Sequence, residues 1–124
     1  MDIKRENVIV KMTEDFSVKM IQFHFEVKKA GVQSMSNQLF RSGTSVGANV
    51  REAQNAESKK DFIHKMKIAA KEADETEYWL RLCERSPLLP DPGILKQEIV
   101  SIHKVLTKII STCKLNMKAS EFKK

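Results

Sequence analysis

The sequence predicts an all-α protein, an antiparallel up-down-up-down four-helix bundle. Three observations predict it. Apolar residues recur in four- and three-residue steps along four separate segments. Short connections with helix breakers separate these segments, among them Gly31 and the stretch SPLLPDPG. Four Gly and three Pro in 124 residues are too few for a turn-rich β fold. A chain of this length buries roughly two-thirds of its unfolded surface, which suffices for one domain over residues 1–124. The ends, about residues 1–6 and 118–124, are expected to be flexible. The alternative arrangement is a helical hairpin that pairs with a second copy.

The first helix is read from about Asn7 or Thr13 to Ala30. Phe16, Met20, Phe23 and Val27 form one face, which Ile21 and Phe25 widen, and Gly31 closes the helix as its C′ residue. The second runs from about Ser34 to Ala56. Met35, Leu39, Val46, Val50 and Ala53 mark its apolar stripe. Gly43 and Gly47 interrupt it at i,i+4 spacing. Glycine weakens a helix by roughly 1 kcal/mol relative to alanine, so close approach of a neighbouring helix is expected there.

Ser58 opens the third helix, with Asp61 in the capping-box position. Phe62, Met66, Ala69, Ala73, Thr76, Leu80 and Cys83 keep unbroken spacing until Pro87 and Pro90. Asp91 reads as N-cap and Pro92 as the first residue of the last helix. Leu95, Ile99, Ile102, Leu106, Ile109 and Cys113 form its stripe, and fraying is expected after Met117.

The second helix carries few charges: residues 31–57 hold only Arg41, Arg51, Glu52 and Glu57. Arg41, Ser45, Ala48, Asn49, Glu52 and Ala56 lie opposite its apolar stripe, a small and sparingly polar back face. The expectation is a helix packed on two sides, one against its own bundle and one against another subunit. On the third helix Glu72, Glu75 and Trp79 flank the core stripe. They join Arg41, Ser45, Asn49 and Glu52 as interface or structural polar candidates.

The net charge is +6, and residues 87–124 contribute most of it with seven basic and three acidic residues. Lys96, Lys104, Lys108, Lys114 and Lys118 fall within about one-third of the circumference of the last helix, with no acid among them. Such a strip suits phosphates and salt-sensitive binding. It lacks aromatics for base stacking, so backbone or shape recognition is expected.

Several chemistries are disfavoured. A di-iron bundle needs Glu-x-x-His on two helices, and Asp61-Phe62-Ile63-His64 approximates that motif once. Cys83 and Cys113 lie on apolar stripes, where a thiol packs as a small apolar group. GTSVG at Gly43–Gly47 lacks the nucleophile-elbow spacing, and no Walker ending is present. No enzyme activity, cofactor, metal or small-molecule substrate is expected. No apolar run is long enough for a membrane helix, and the N-terminus lacks a signal-peptide core. A cytoplasmic protein is expected.

Residues 38–82 carry a denser pattern. It comprises Arg41-Ser42, then Ser45-Val46-x-x-Asn49-Val50, Glu52-Ala53 and Ser58-x-x-Asp61-Phe62. Ala69, Glu72, Glu75, Thr76, Tyr78, Trp79 and Leu80 complete it. This run resembles the bacterial four-helix-bundle family of 23S rRNA intervening-sequence proteins, whose members are often labelled as a ribosomal protein. The resemblance implies a homo-oligomeric ring, a pentamer, without known catalytic residues. The fold is also similar to the accessory variability determinant of diversity-generating retroelements, a basic pentamer that associates with nucleic acid and a reverse transcriptase. The partners implied are other copies of the chain and RNA or a nucleic-acid-associated protein.

Overall fold

The structure, a computed structural model, describes residues 3–117, with side chains from Val8 onward. The first two residues and residues 118–124, where flexible ends were expected, lie outside the described residues, as does Lys118. Four helices follow in order: α1 (Ile3–Lys29), α2 (Gln33–Ala53), α3 (Lys59–Arg85) and α4 (Leu95–Leu115). Each packs on its sequence neighbour, and α4 returns to α1, so the bundle is up-down-up-down within one chain. The hairpin alternative is not adopted. The α1–α4 seam is the least extensive of the four.

The helix ends follow local chemistry. Gly31, at φ 92°, takes the left-handed position after α1. Its N–H donates to the Lys28 carbonyl at 2.9 Å, and the Val32 N–H reaches back to the Val27 carbonyl at 3.4 Å. These two bonds make a Schellman closure. Thr13 does not start α1. Its hydroxyl donates to the carbonyls of Ile9 (2.9 Å) and Val10 (3.1 Å), so it is satisfied inside a helix that begins ten residues earlier, at Ile3. At the far end of α2, the N–H groups of Gln54, Asn55 and Ala56 bond three residues back. That tighter turn ends the α-helix at Ala53, short of the expected Ala56.

Ser58 caps α3 as expected, its hydroxyl accepting the Asp61 N–H at 3.0 Å. The Asp61 carboxylate accepts instead from the Glu57 N–H at 3.2 Å, a variant of the usual reciprocal bond. The start of α4 corrects the sequence reading. Asp91 is not its N-cap; its carboxylate accepts from the Gly93 N–H at 3.0 Å, within the loop. Gly93 stands at φ 58°, which breaks the helical run, and α4 begins at Leu95.

The core gathers Phe16, Met20, Phe23 and Val27 with Leu39, Val46, Val50, Met66, Leu80, Ile99, Ile102 and Leu106. Three expectations change at its margins. Ile21 and Phe25 do not widen the α1 face: they are 40% and 52% exposed. Ile63 is buried where Phe62 was expected, and Ile110 where Ile109 was expected. A straight α-helix drifts away from a strict heptad, so the buried stripe shifts by one residue toward the helix ends. The close approach at the glycines is present. A Cβ on Gly43 would lie 2.8 Å from Met20, and one on Gly47 would lie 3.1 Å from the Thr13 carbonyl oxygen.

Candidate nucleic-acid interface and the polar seams

The outer face of α4 is set by the burial of its opposite side. Leu95, Ile99, Ile102, Leu106 and Ile110 turn inward. Lys104 and Lys108, about one turn apart, therefore project outward and are exposed. Around them His103, Thr107, Ser111 and Thr112 line an open depression of about 500 Å³. The face offers ammonium and hydroxyl donors. Its nearest acid in sequence, Glu98, turns to the other flank and bonds the Lys19 ammonium of α1 at 2.7 Å.

The lysine strip is not uniform. The Lys96 ammonium donates to the Glu84 carboxylate of α3 at 2.7 Å, so an acid twelve residues upstream neutralises it. Lys114 is half-buried, and Lys67 of α3 is the neighbour that acts on it. Contact with the Lys67 amine, and then its charge, hold Lys114 below the ordinary lysine value. Lys67 lies on the third helix, where sequence reasoning assigned it no role. Only the register of α3 against α4 reveals it.

The polar candidates of the motif run gather on the α2–α3 seam. Arg41 donates to Glu72 at 3.2 Å and also bonds Glu75. Its Nε donates to Gln38 at 3.3 Å. Glu75 in turn accepts from the Trp79 indole N–H at 3.0 Å, and the half-buried Trp79 ring tilts against Tyr78. The two carboxylates raise the Arg41 value by hydrogen bonding, although partial desolvation, the largest single influence, opposes them. Glu52 accepts from the Lys65 ammonium at 3.0 Å. Ser45 and Asn49 are half-buried and bond carbonyls of their own helix, those of Arg41 and Ser45.

Arg41 and Glu52, two residues of the expected back face of α2, thus bridge it to α3 within one chain. The exposed residues of α2 on its outer side are Asn37, Phe40, Ala48 and Arg51. Phe40, 43% exposed, touches the His24 ring, which also meets Phe25. The buried Ser36 hydroxyl donates to the His24 carbonyl at 2.8 Å, so the His24 Nδ1–H donates to Ser36 at 3.1 Å. Burial, and then the charge of Lys28, push His24 below the ordinary histidine value.

Burial pushes the Cys83 thiol up to about 11, the opposite of what a nucleophile needs. Cys113 is half-buried. Asp61 is occupied at the α3 cap, and His64 is exposed. Among the described residues no group of three His, Cys, Asp or Glu is placed to hold a metal ion. Among those residues, too, no helix is long and apolar enough to cross a membrane.

The family described as 23S rRNA-intervening sequence protein matches residues 5–108. The chain belongs to this family. No curated protein matches it. Among solved structures it is similar to a Bacteroides thetaiotaomicron protein of unknown function from the S23 ribosomal protein family. The two are 40% identical with a TM-score of 0.80, over 86% of this chain and 98% of that one. In this member of the 23S rRNA-intervening sequence family, the motif residues Arg41, Glu72, Glu75 and Trp79 thus form one seam. The basic residues stand apart from it on α4 and the adjoining edge of α3.

Proposed function

We propose that this family member is a non-catalytic homo-oligomeric bundle of the cytoplasm that binds RNA or a ribonucleoprotein through the outer face of α4. The observation that carries the reading is the acid-free exposure of Lys104 and Lys108, bordered by hydroxyls. A face of one sign attracts a polyanion, and ammonium groups release counterions when they meet phosphates. The family's description, which refers to an intervening sequence of 23S rRNA, supports the same partner class. No cofactor or small-molecule substrate belongs to this reading.

The proposed assembly is a ring of five copies, as the resemblance implies. Ile21, Phe25 and Phe40 are exposed along one edge of α1 and α2, an apolar surface suited to protein contact. The same surface favours a second reading, a protein–protein scaffold without nucleic-acid binding.

The test is fluorescence anisotropy of a labelled structured RNA across a salt titration, with wild type and a Lys104→Glu, Lys108→Glu variant. Binding that weakens with salt and with the variant is expected. Salt-sensitive binding unchanged in the variant would move the interface off α4. No binding at low salt would overturn the RNA reading and leave the scaffold. Light scattering during gel filtration reads the subunit number.

A further inference from the structure

Exposed apolar side chains cluster twice at one end of the bundle. α1 and α3 run the same way, so the last turns of α1 share that end with the α3–α4 connection, residues 86–94. The first cluster is Ile21, Phe25 and Phe40, on the α1–α2 edge. The His24 ring centroid stands 4.6 Å from that of Phe25 and 5.0 Å from that of Phe40, so one half-buried ring holds both. The second cluster is Leu88 and Ile94, 77% and 62% exposed, in the connection itself. Leu89 packs on the core, and the Leu88 N–H donates to the Ser86 hydroxyl at 3.2 Å, so the turn is anchored while Leu88 stands outward. Pro87, Pro90 and Pro92 restrict its backbone. Apolar surfaces already held in place lose little freedom when they are covered.

Placement and charge say what covers them. Each helix packs on its sequence neighbours, which puts the α1–α2 edge opposite the α3–α4 edge. Lys28 and Lys29 follow Phe25 by about one turn and are exposed. Asp91, exposed between Leu88 and Ile94, is the only charged residue among residues 86–94; Arg85 stands before them at the end of α3. Pairing either cluster with itself across a two-fold axis would bring Lys28 and Lys29, or Asp91, toward their own copies. Pairing one cluster with the other sets ammonium groups beside a carboxylate. We infer that the edge bearing Ile21, Phe25 and Phe40 on one copy of the chain seats the turn bearing Leu88 and Ile94 on the next. The contact rests on the assembly reading above and deepens it by naming the two faces. It is head-to-tail, so each added copy offers a fresh face until the series closes on itself. Lys104 lies about 14 Å along α4 from Leu95, outside the contact, so the basic face stays open.

The test is sedimentation velocity on wild type, on Phe25→Glu/Phe40→Glu and on Leu88→Glu/Ile94→Glu. Wild type should sediment as an oligomer and each variant as a single chain. An equal mixture of the two variants, at millimolar protein, should give a species of twice the single-chain mass and nothing larger. Each variant supplies the face that the other has lost, and the damaged faces cap the pair. The substituted side chains are all exposed, so circular dichroism should match wild type. Full assembly by either variant would overturn the contact and keep the homo-oligomer. Single-chain variants whose mixture stays single would overturn the pairing of these two faces. A wild type that sediments as one chain would overturn the contact and the assembly reading together. Loss of helix in either variant would assign its side chains to the fold and overturn the contact.

Discussion

Gly43→Ala probes the closest approach at any glycine of the chain. The new Cβ would lie 2.8 Å from both Cγ and Cε of Met20 and 3.1 Å from its Cβ. Met20 is fully buried among core side chains, so it has little room to swing away. Overpacking of this kind costs about 1–3 kcal/mol. Alanine recovers about 1 kcal/mol through its better helix propensity. The expected net loss is up to about 2 kcal/mol, at roughly 4 °C in Tm per kcal/mol for a chain of this size. The assay is urea unfolding followed by far-ultraviolet circular dichroism and Trp79 fluorescence, at fixed protein concentration because assembly couples to stability. A Met20→Ala background removes the clashing atoms Cγ and Cε. There Gly43→Ala should cease to destabilise, giving a coupling of about 2 kcal/mol between the two sites. Simple additivity of the two substitutions, or stabilisation by Gly43→Ala in wild type, would refute the packing argument.

The remaining expectations concern caps and titrations. Ser58→Ala removes the acceptor for the Asp61 N–H at the start of α3, and about 1 kcal/mol of stability should go with it in the same unfolding assay. Cys83, 1% exposed, should react with a thiol reagent only when the chain opens, so its labelling rate at pH 8 should follow added urea. Because folding raises its value from 9.0 to about 11, the folded state holds more protons than the unfolded one in that window. Its contribution to stability should decline as pH rises from 9.0 toward 11, and Cys83→Ala should flatten that decline. His24 behaves in the opposite sense. Its depressed value means that the unfolded chain takes up a proton first, so stability is full above 6.5 and declines as pH falls below it. An NMR titration should place His24 below 6.5, and Lys28→Ala should bring it partly back.

Most of the fold was legible because a helix face is a local property. Phe16, Met20, Phe23 and Val27 recur every three or four residues, and that spacing alone turns them inward. Phe25 and Ile21 escape the same argument because spacing does not say how wide the buried arc is; the position of the neighbouring helices decides that. The entry to α4 departs from the sequence pattern because Asp-Pro is a good helix start only when the next residue continues the turn, and Gly93 does not.

The candidate interface was legible only in part. Lys104 and Lys108 share an outward face that can be counted from the sequence. The pairing of Lys96 with Glu84 and the arrival of Lys67 both depend on how α3 slides against α4, and no single-helix pattern encodes that register. The same holds for the chain from Arg41 through Glu75 to Trp79. Its residue types were visible, but their convergence is tertiary.

The weak closure between α1 and α4 has a kinetic meaning. A stack whose first and last members grip each other least has a preferred line along which it breathes. Val105 and Ile109, only half-covered beside that line, would meet water first. Their backbone amides should exchange with deuterium sooner than those of Val46 or Ala69, which lie deep between their neighbours. The fold therefore opens like a sleeve along one side, leaving the α1–α2–α3 sequence of hairpins closed.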